Sequence, residues 1–145
     1  MRIFLDIDGV LRRVQSPRDR LDADCVEVFE AAALSAPEAR VVISSTWRLI
    51  HSLDSLRALF PPQLAARIEG VTPNLPEAEE FTRHDEILAY LAARKLQGAP
   101  WVAVDDNSNE YRPRVQLILV DPTTGFDARC GAQLRRLLTH LASTN

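Results

Sequence analysis

Four short apolar runs, spaced along a chain of 145 residues, constrain the fold more than any other feature: "IFLDI" (3–7), "RVVIS" (40–44), "WVAVDD" (101–106) and "QLILVD" (116–121). Each is rich in Val, Ile and Leu and lacks polar alternation, so each reads as a strand covered on both faces within a parallel sheet. "RIEGV" (67–71) is a weaker fifth candidate. Helical patterns fill the intervals at 22–36, 52–60, 61–68, 83–96 and 128–142. Strands alternating with helices predict an α/β fold: one doubly wound, Rossmann-like, mainly parallel sheet of about five strands with helices on both faces. This length fits one domain, residues 1–145, with a core that needs no disulfide or metal staple.

Local signals set some boundaries. Thr82 with Asp85 three residues on matches a capping box, and Gly98 followed by Pro100 closes the same helix. "EGVTPNLPEAEEFT" (69–82), with two prolines, reads as an irregular loop inside the domain.

Composition excludes several classes. No apolar run approaches the ~20 residues of a membrane span, and the first residues enter a strand with no charged-then-apolar leader, so the expectation is a cytoplasmic protein. Cys25 and Cys130 are too few for a disulfide framework or a thiolate zinc site and read as reduced thiols. A net charge of −3 argues against a broad nucleic-acid-binding face, though a local basic groove is compatible with it. Sixteen of the seventeen basic residues are Arg, which leaves Lys95 as the only lysine to compete for any cationic role.

The first run drives straight into Asp6 and Asp8, with Ile7 between them. Buried carboxylates are rare unless paired or bound to a cation, because stripping their water costs at least several kcal/mol. In open parallel sheets ligands bind beyond the carboxyl ends of the strands. The first strand ends in Asp6 and Asp8, the second in Ser44, Ser45 and Thr46, and the fourth in Asp105 and Asp106. All three clusters should therefore meet at one edge. Converging carboxylates repel unless a cation sits among them, and oxygen-only ligation with room for a phosphate favours Mg²⁺. An ionised Asp beside such an ion can serve as a nucleophile, so the clusters point to phosphoryl transfer.

Phosphate also needs donors. Ser44 can hydrogen-bond a phosphoryl oxygen, and the backbone N–H groups of Ser45 and Thr46 point outward if a helix begins near Trp47. Arg83, at the start of the helix before the fourth strand, supplies fixed positive charge at the same edge, whereas Lys95 lies at that helix's far end. Taken singly, Asp8-Gly9 is an ordinary turn, Ser44 to Thr46 an ordinary N-cap and Asp105 to Asn107 an ordinary loop entry. Their joint placement at three strand ends is what favours a site. Trp47-Arg48 reads as a wall of the phosphate pocket, with core as the other reading of Trp47, and Arg12 and Arg13 read as surface charges or as substrate contacts on the flap after the first strand. The three histidines lack metal spacing, and no nucleophile elbow, Walker loop or dinucleotide fingerprint is present.

"FLDIDGVL" resembles the first motif of the haloacid dehalogenase (HAD) superfamily, "VVISST" its second, Arg83 its third and "WVAVDDN" its fourth. "VVISSTWR", "EGVTP" and "LILVDPTTGF" together are similar to the small HAD domains associated with RNA-repair proteins. The resemblance implies Asp6 as nucleophile and Mg²⁺ ligand. Asp8 would be the general acid and base, binding Mg²⁺ through its backbone carbonyl. Ser44 and Arg83 would hold the phosphoryl group, with Ser45 beside them, while Asp105 completes the metal shell with Asp106 nearby. Asp two positions after the nucleophile is the phosphatase form of the site, and family members more often carry Lys at the third motif. Neither insertion point used by larger members has room here for a folded cap. The implied activity is a Mg²⁺-dependent, capless phosphatase acting on a polynucleotide phosphate end or a small phosphate ester. Two rivals are a receiver-like phosphoacceptor and a binding module without turnover.

Overall fold

The computed structural model describes residues 1–75 and 80–143. Its centre is a five-stranded sheet in the order β3-β2-β1-β4-β5, every pairing parallel. The strands are β1 (Arg2–Leu5), β2 (Arg40–Ile43), β3 (Ile68–Val71), β4 (Trp101–Asp105) and β5 (Leu117–Leu119). The helices are α1 (Ala23–Leu34), α2 (Leu53–Arg57), α3 (Pro62–Ala65), α4 (Thr82–Ala93) and α5 (Ala128–Ser143). Among the described residues no helix is long and apolar enough to cross a membrane.

Strand alternation sorts the core into two layers. Ile3, Leu5, Val41, Ile43, Val102 and Val104 face one side, where Phe29 of α1 and Leu134 and Leu138 of α5 pack with Leu56 and Leu64. Phe4, Val42 and Ala103 face the other and meet Ile87, Tyr90 and Leu91 of α4. The rings of Phe4 and Tyr90 meet edge to face, 5.7 Å between centroids. Burial on both faces explains why the three central strands read as unbroken apolar runs.

The edges depart from that expectation. In β5 Ile118 is buried but Leu119 is 54% exposed, because an edge strand is covered less completely. α2 and α3 are single turns, shorter than their periodic stretches. Strand β3 takes Glu69 to Val71 out of the expected loop, and residues 76–79 of that loop lie outside the described residues.

The capping box at α4 does not form. Phe81, at φ 49°, is the N-cap and makes no side-chain cap bond, while Asp85 pairs instead with Arg112 at 2.7 Å. The helix also ends earlier than Gly98 implies. Lys95 takes the left-handed position (φ 58°), and the Leu96 N–H returns to the Leu91 carbonyl at 2.8 Å, a closure usually built on Gly. Cys25 and Cys130 are free and buried.

Candidate active site

β1, β2 and β4 are neighbours at the middle of the sheet, so their carboxyl ends bring three loops together. Asp6 follows β1 directly, its N–H bonded to the Val104 carbonyl at 3.0 Å, which locks it beside the end of β4. A tight turn then carries the chain away: the Ile7 carbonyl accepts from the N–H groups of Val10, Leu11 and Arg12. Gly9 in that turn has φ +79°, and a Cβ there would lie 2.2 Å from Asp106 Oδ2. Glycine is therefore required twice, for the backbone and for the carboxylate opposite.

Asp6, Asp105 and Asp106 converge, each offering a ligand oxygen within 4.8 Å of the others. Asp6 and Asp105 are buried and Asp106 is half-buried. Burial, then the charge of Asp105, holds the Asp6 carboxyl well above its usual range, while Arg83 pulls the other way. Asp105 is pushed up to about 6 by burial, against the opposing pull of Arg83 and the Tyr111 hydroxyl. Each of its oxygens accepts one hydrogen bond, Oδ1 from the Asn107 N–H at 3.1 Å and Oδ2 from Tyr111 at 2.8 Å, which leaves lone pairs for a cation. A trio of carboxylates with excess negative charge and oxygen donors alone fits a hard divalent cation.

That fit yields a prediction. A carboxyl whose pKa is raised on folding favours the native state fully below the unfolded value of about 4, and loses that advantage as pH rises through its folded value. The cation-free protein should thus lose stability between about pH 4 and pH 6, and a cation that displaces the protons should restore it. At a concentration 100-fold above Kd the gain is about 2.7 kcal/mol, or on the order of 5–10 °C in Tm. Melting with and without Mg²⁺ should show this gain at pH 7.5 and little of it at pH 5. Equal gains at both would mean that these carboxylates do not bind the ion.

Cationic charge comes from α4. Arg83 Nη1 lies 3.4 Å from Asp6 Oδ1. Burial lowers the guanidinium's pKa, but Asp6 and Asp105 more than offset this and the net shift is upward. Arg83, not Lys95, is the α4 cation brought to the cluster.

The second cluster divides its work. Ser44 is fully buried at the end of β2, its N–H bonded to the Leu5 carbonyl at 2.8 Å, and its hydroxyl has no partner among the described residues. A buried polar atom left unpaired costs about 1–3 kcal/mol, so this one is available to a ligand. Ser45 caps a 3₁₀ turn, Thr46–Leu49, by accepting the Trp47 N–H at 3.2 Å. Its hydroxyl oxygen thus acts as an acceptor, and its backbone N–H donates to no carbonyl among the described residues. The turn that was expected near Trp47 thus exists as one turn of 3₁₀ helix.

Asp8 stands apart from the acidic trio. Its Oδ1 accepts from Arg12 Nε at 2.8 Å and from the Trp47 indole at 3.1 Å. Arg12 is not a solvated charge: only 12% of its side chain is exposed, and Nη1 also reaches the Ser16 carbonyl at 3.0 Å.

Arg48, read from the sequence as a pocket wall beside Trp47, is instead committed to a buried partner that the sequence did not suggest. Arg48 and Glu86 form an ion pair at 2.7 Å with 4% and 3% of their side chains exposed. Arg48 also donates to the carbonyls of Ser45 and Thr72, and Glu86 accepts the Leu75 N–H. Glu86 lies one turn along α4 from Arg83, so this pair fixes α4 against the loops after β2 and β3. Thr72, beyond β3, is a second buried hydroxyl without a partner among the described residues.

A family model described as the HAD domain in Swiss Army Knife RNA repair proteins matches residues 2–129. The chain belongs to that family. Membership makes this HAD domain a HAD-type hydrolase in general terms, and the matched span runs from β1 into the first residues of α5, covering all three loops of the site. It has the five-stranded parallel sheet of a small HAD domain and, among the described residues, no cap domain. No curated protein and no solved structure matches the chain.

Proposed function

We propose that this HAD domain is a Mg²⁺-dependent phosphatase that works through a phosphoaspartate on Asp6. The observation that supports it is the convergence of Asp6 with Asp105 and Asp106 within 4.8 Å, with the Arg83 guanidinium 3.4 Å from Asp6.

In this reading an Asp6 oxygen attacks phosphorus while the bond to the leaving oxygen breaks. Asp8 gives that oxygen a proton. Asp8 then takes a proton from water, which attacks phosphorus and releases the Asp6 carboxylate. Arg83, the Ser44 hydroxyl and the Ser45 N–H hold the phosphoryl oxygens as charge moves onto them. Mg²⁺, held by Asp6, Asp105 and Asp106 with the Asp8 backbone carbonyl, would neutralise charge on the transferring group.

The favoured substrate is a phosphorylated polynucleotide end. The family's description, the arginines and the absence, among the described residues, of a cap over the sheet edge support it; a small phosphate ester is the alternative. The test is phosphate release from 3′- and 5′-phosphorylated oligonucleotides and a set of small esters, with Mg²⁺ and with EDTA. Release that requires the metal and prefers oligonucleotides is expected. A preference for small esters would overturn the substrate assignment. A stable phosphoprotein without release would favour a phosphoacceptor, and no reaction from folded protein a binding module.

A further inference from the structure

Asp8 has 45% of its side chain open to solvent, unlike the buried Asp6 and Asp105. A carboxylate so exposed ordinarily samples several rotamers. Here two donors from separate elements meet on the same oxygen, Oδ1: Arg12 Nε from the turn after β1 at 2.8 Å, and Trp47 Nε1 from the turn after β2 at 3.1 Å. Oδ2 has no partner among the described residues.

Both donors are held from behind. Trp47 is 7% exposed, its backbone N–H is capped by Ser45 and its indole stacks on His51 with centroids 5.4 Å apart. Arg12 is anchored on the Ser16 carbonyl at 3.0 Å. A simple staple for the flap would account for Arg12. It does not account for an indole 39 residues away that selects the same oxygen.

We propose that Trp47 and Arg12 are positioning residues for Asp8, fixing Oδ1 so that the catalytic proton rides on Oδ2 alone. The inference rests on the reading of Asp8 as general acid. An oxygen that accepts two N–H bonds cannot also carry the acid proton, so the proton must sit on the other. As the bond between phosphorus and the leaving oxygen breaks, its electron pair stays on that oxygen, which takes the proton from Oδ2, while the new bond joins phosphorus to Asp6. Losing the indole N–H would leave Asp8 able to rotate and the transfer badly aimed.

Leaving-group chemistry separates this role from a structural one. An alkoxide needs a proton to depart, whereas nitrophenolate does not. Values of kcat/KM would be measured for alkyl phosphates and for p-nitrophenyl phosphate with wild type, Trp47→Phe, Arg12→Gln, Asp8→Asn and Trp47→Phe/Asp8→Asn. Trp47→Phe should lose about tenfold more on alkyl phosphates than on the nitrophenyl ester, and Asp8→Asn about a hundredfold more. Adding Trp47→Phe to Asp8→Asn should widen the gap no further.

Uniform loss in Trp47→Phe alongside selective loss in Asp8→Asn would overturn the positioning role and leave the acid intact. Uniform loss in Asp8→Asn would remove the general-acid reading and this inference with it. Should Trp47→Phe fail to fold, as thermal melting would reveal, Arg12→Gln decides by the same ratio.

Discussion

Asp6→Asn is expected to lower kcat for phosphate release by about 10³-fold or more, because the amide cannot serve as nucleophile and no other group replaces it. The same change should leave the fold intact, and in EDTA at neutral pH it should hold or raise Tm. Asp6 is 4% exposed and faces Asp105 and Asp106, so its charge is costly without a cation, and Asn fills nearly the same volume. The opposite signs on activity and stability make the prediction hard to imitate by misfolding. Phosphate release and melting by circular dichroism on one preparation would check it. A wild-type rate would refute the assignment of Asp6.

Arg83→Gln should lower kcat/KM by about 10²–10³-fold, the usual cost of removing one preorganised donor from a developing anion. Its effect on stability should run opposite to that of Asp6→Asn. With the guanidinium gone, the buried Asp6 charge loses its cationic neighbour at 3.4 Å, and Tm in EDTA should fall. Arg83→Lys should recover part of the activity, since the charge returns but the planar fork does not. Lys95→Gln should change neither quantity, because Lys95 lies beyond the last turn of α4. Kinetics on all three variants would show whether the third-motif role belongs to Arg83, and a large loss in Lys95→Gln would reassign it.

Much of the site was legible because one rule does most of the placing: parallel strands deliver their carboxyl ends to a single edge, so Asp6, Ser44, Asp105 and Asp106 could be grouped before any distance was known. Arg83 followed from the direction of the helix before β4. The rest was hidden for physical reasons. The three central strands and the edge strand β5 read alike as apolar runs, and only pairing order tells them apart. The Thr82–Asp85 pattern lost to a backbone that enters α4 through Phe81 in the left-handed region.

The partners of Asp8 were harder still. Arg12 comes from an irregular turn and Trp47 from a different strand end, so neither obeys a helical or strand period. Trp47 could be read from the sequence as core or as a pocket wall, and it is buried. What sequence could not express is that its indole N–H is turned to Asp8. Arg48 and Glu86, 38 residues apart, pose the same problem.

That buried pair bears on how the molecule comes apart. Breaking it would strand two charges away from water, a loss on the order of 3–5 kcal/mol, comparable with a sizeable part of a whole domain's stability. Because Arg48 also grips the Ser45 and Thr72 carbonyls while Glu86 grips Leu75, the loops after β2 and β3 cannot fray separately from α4. The edge that carries the candidate site therefore opens together with α4 as one cooperative unit, and on heating, loss of phosphate release should coincide with global melting instead of preceding it.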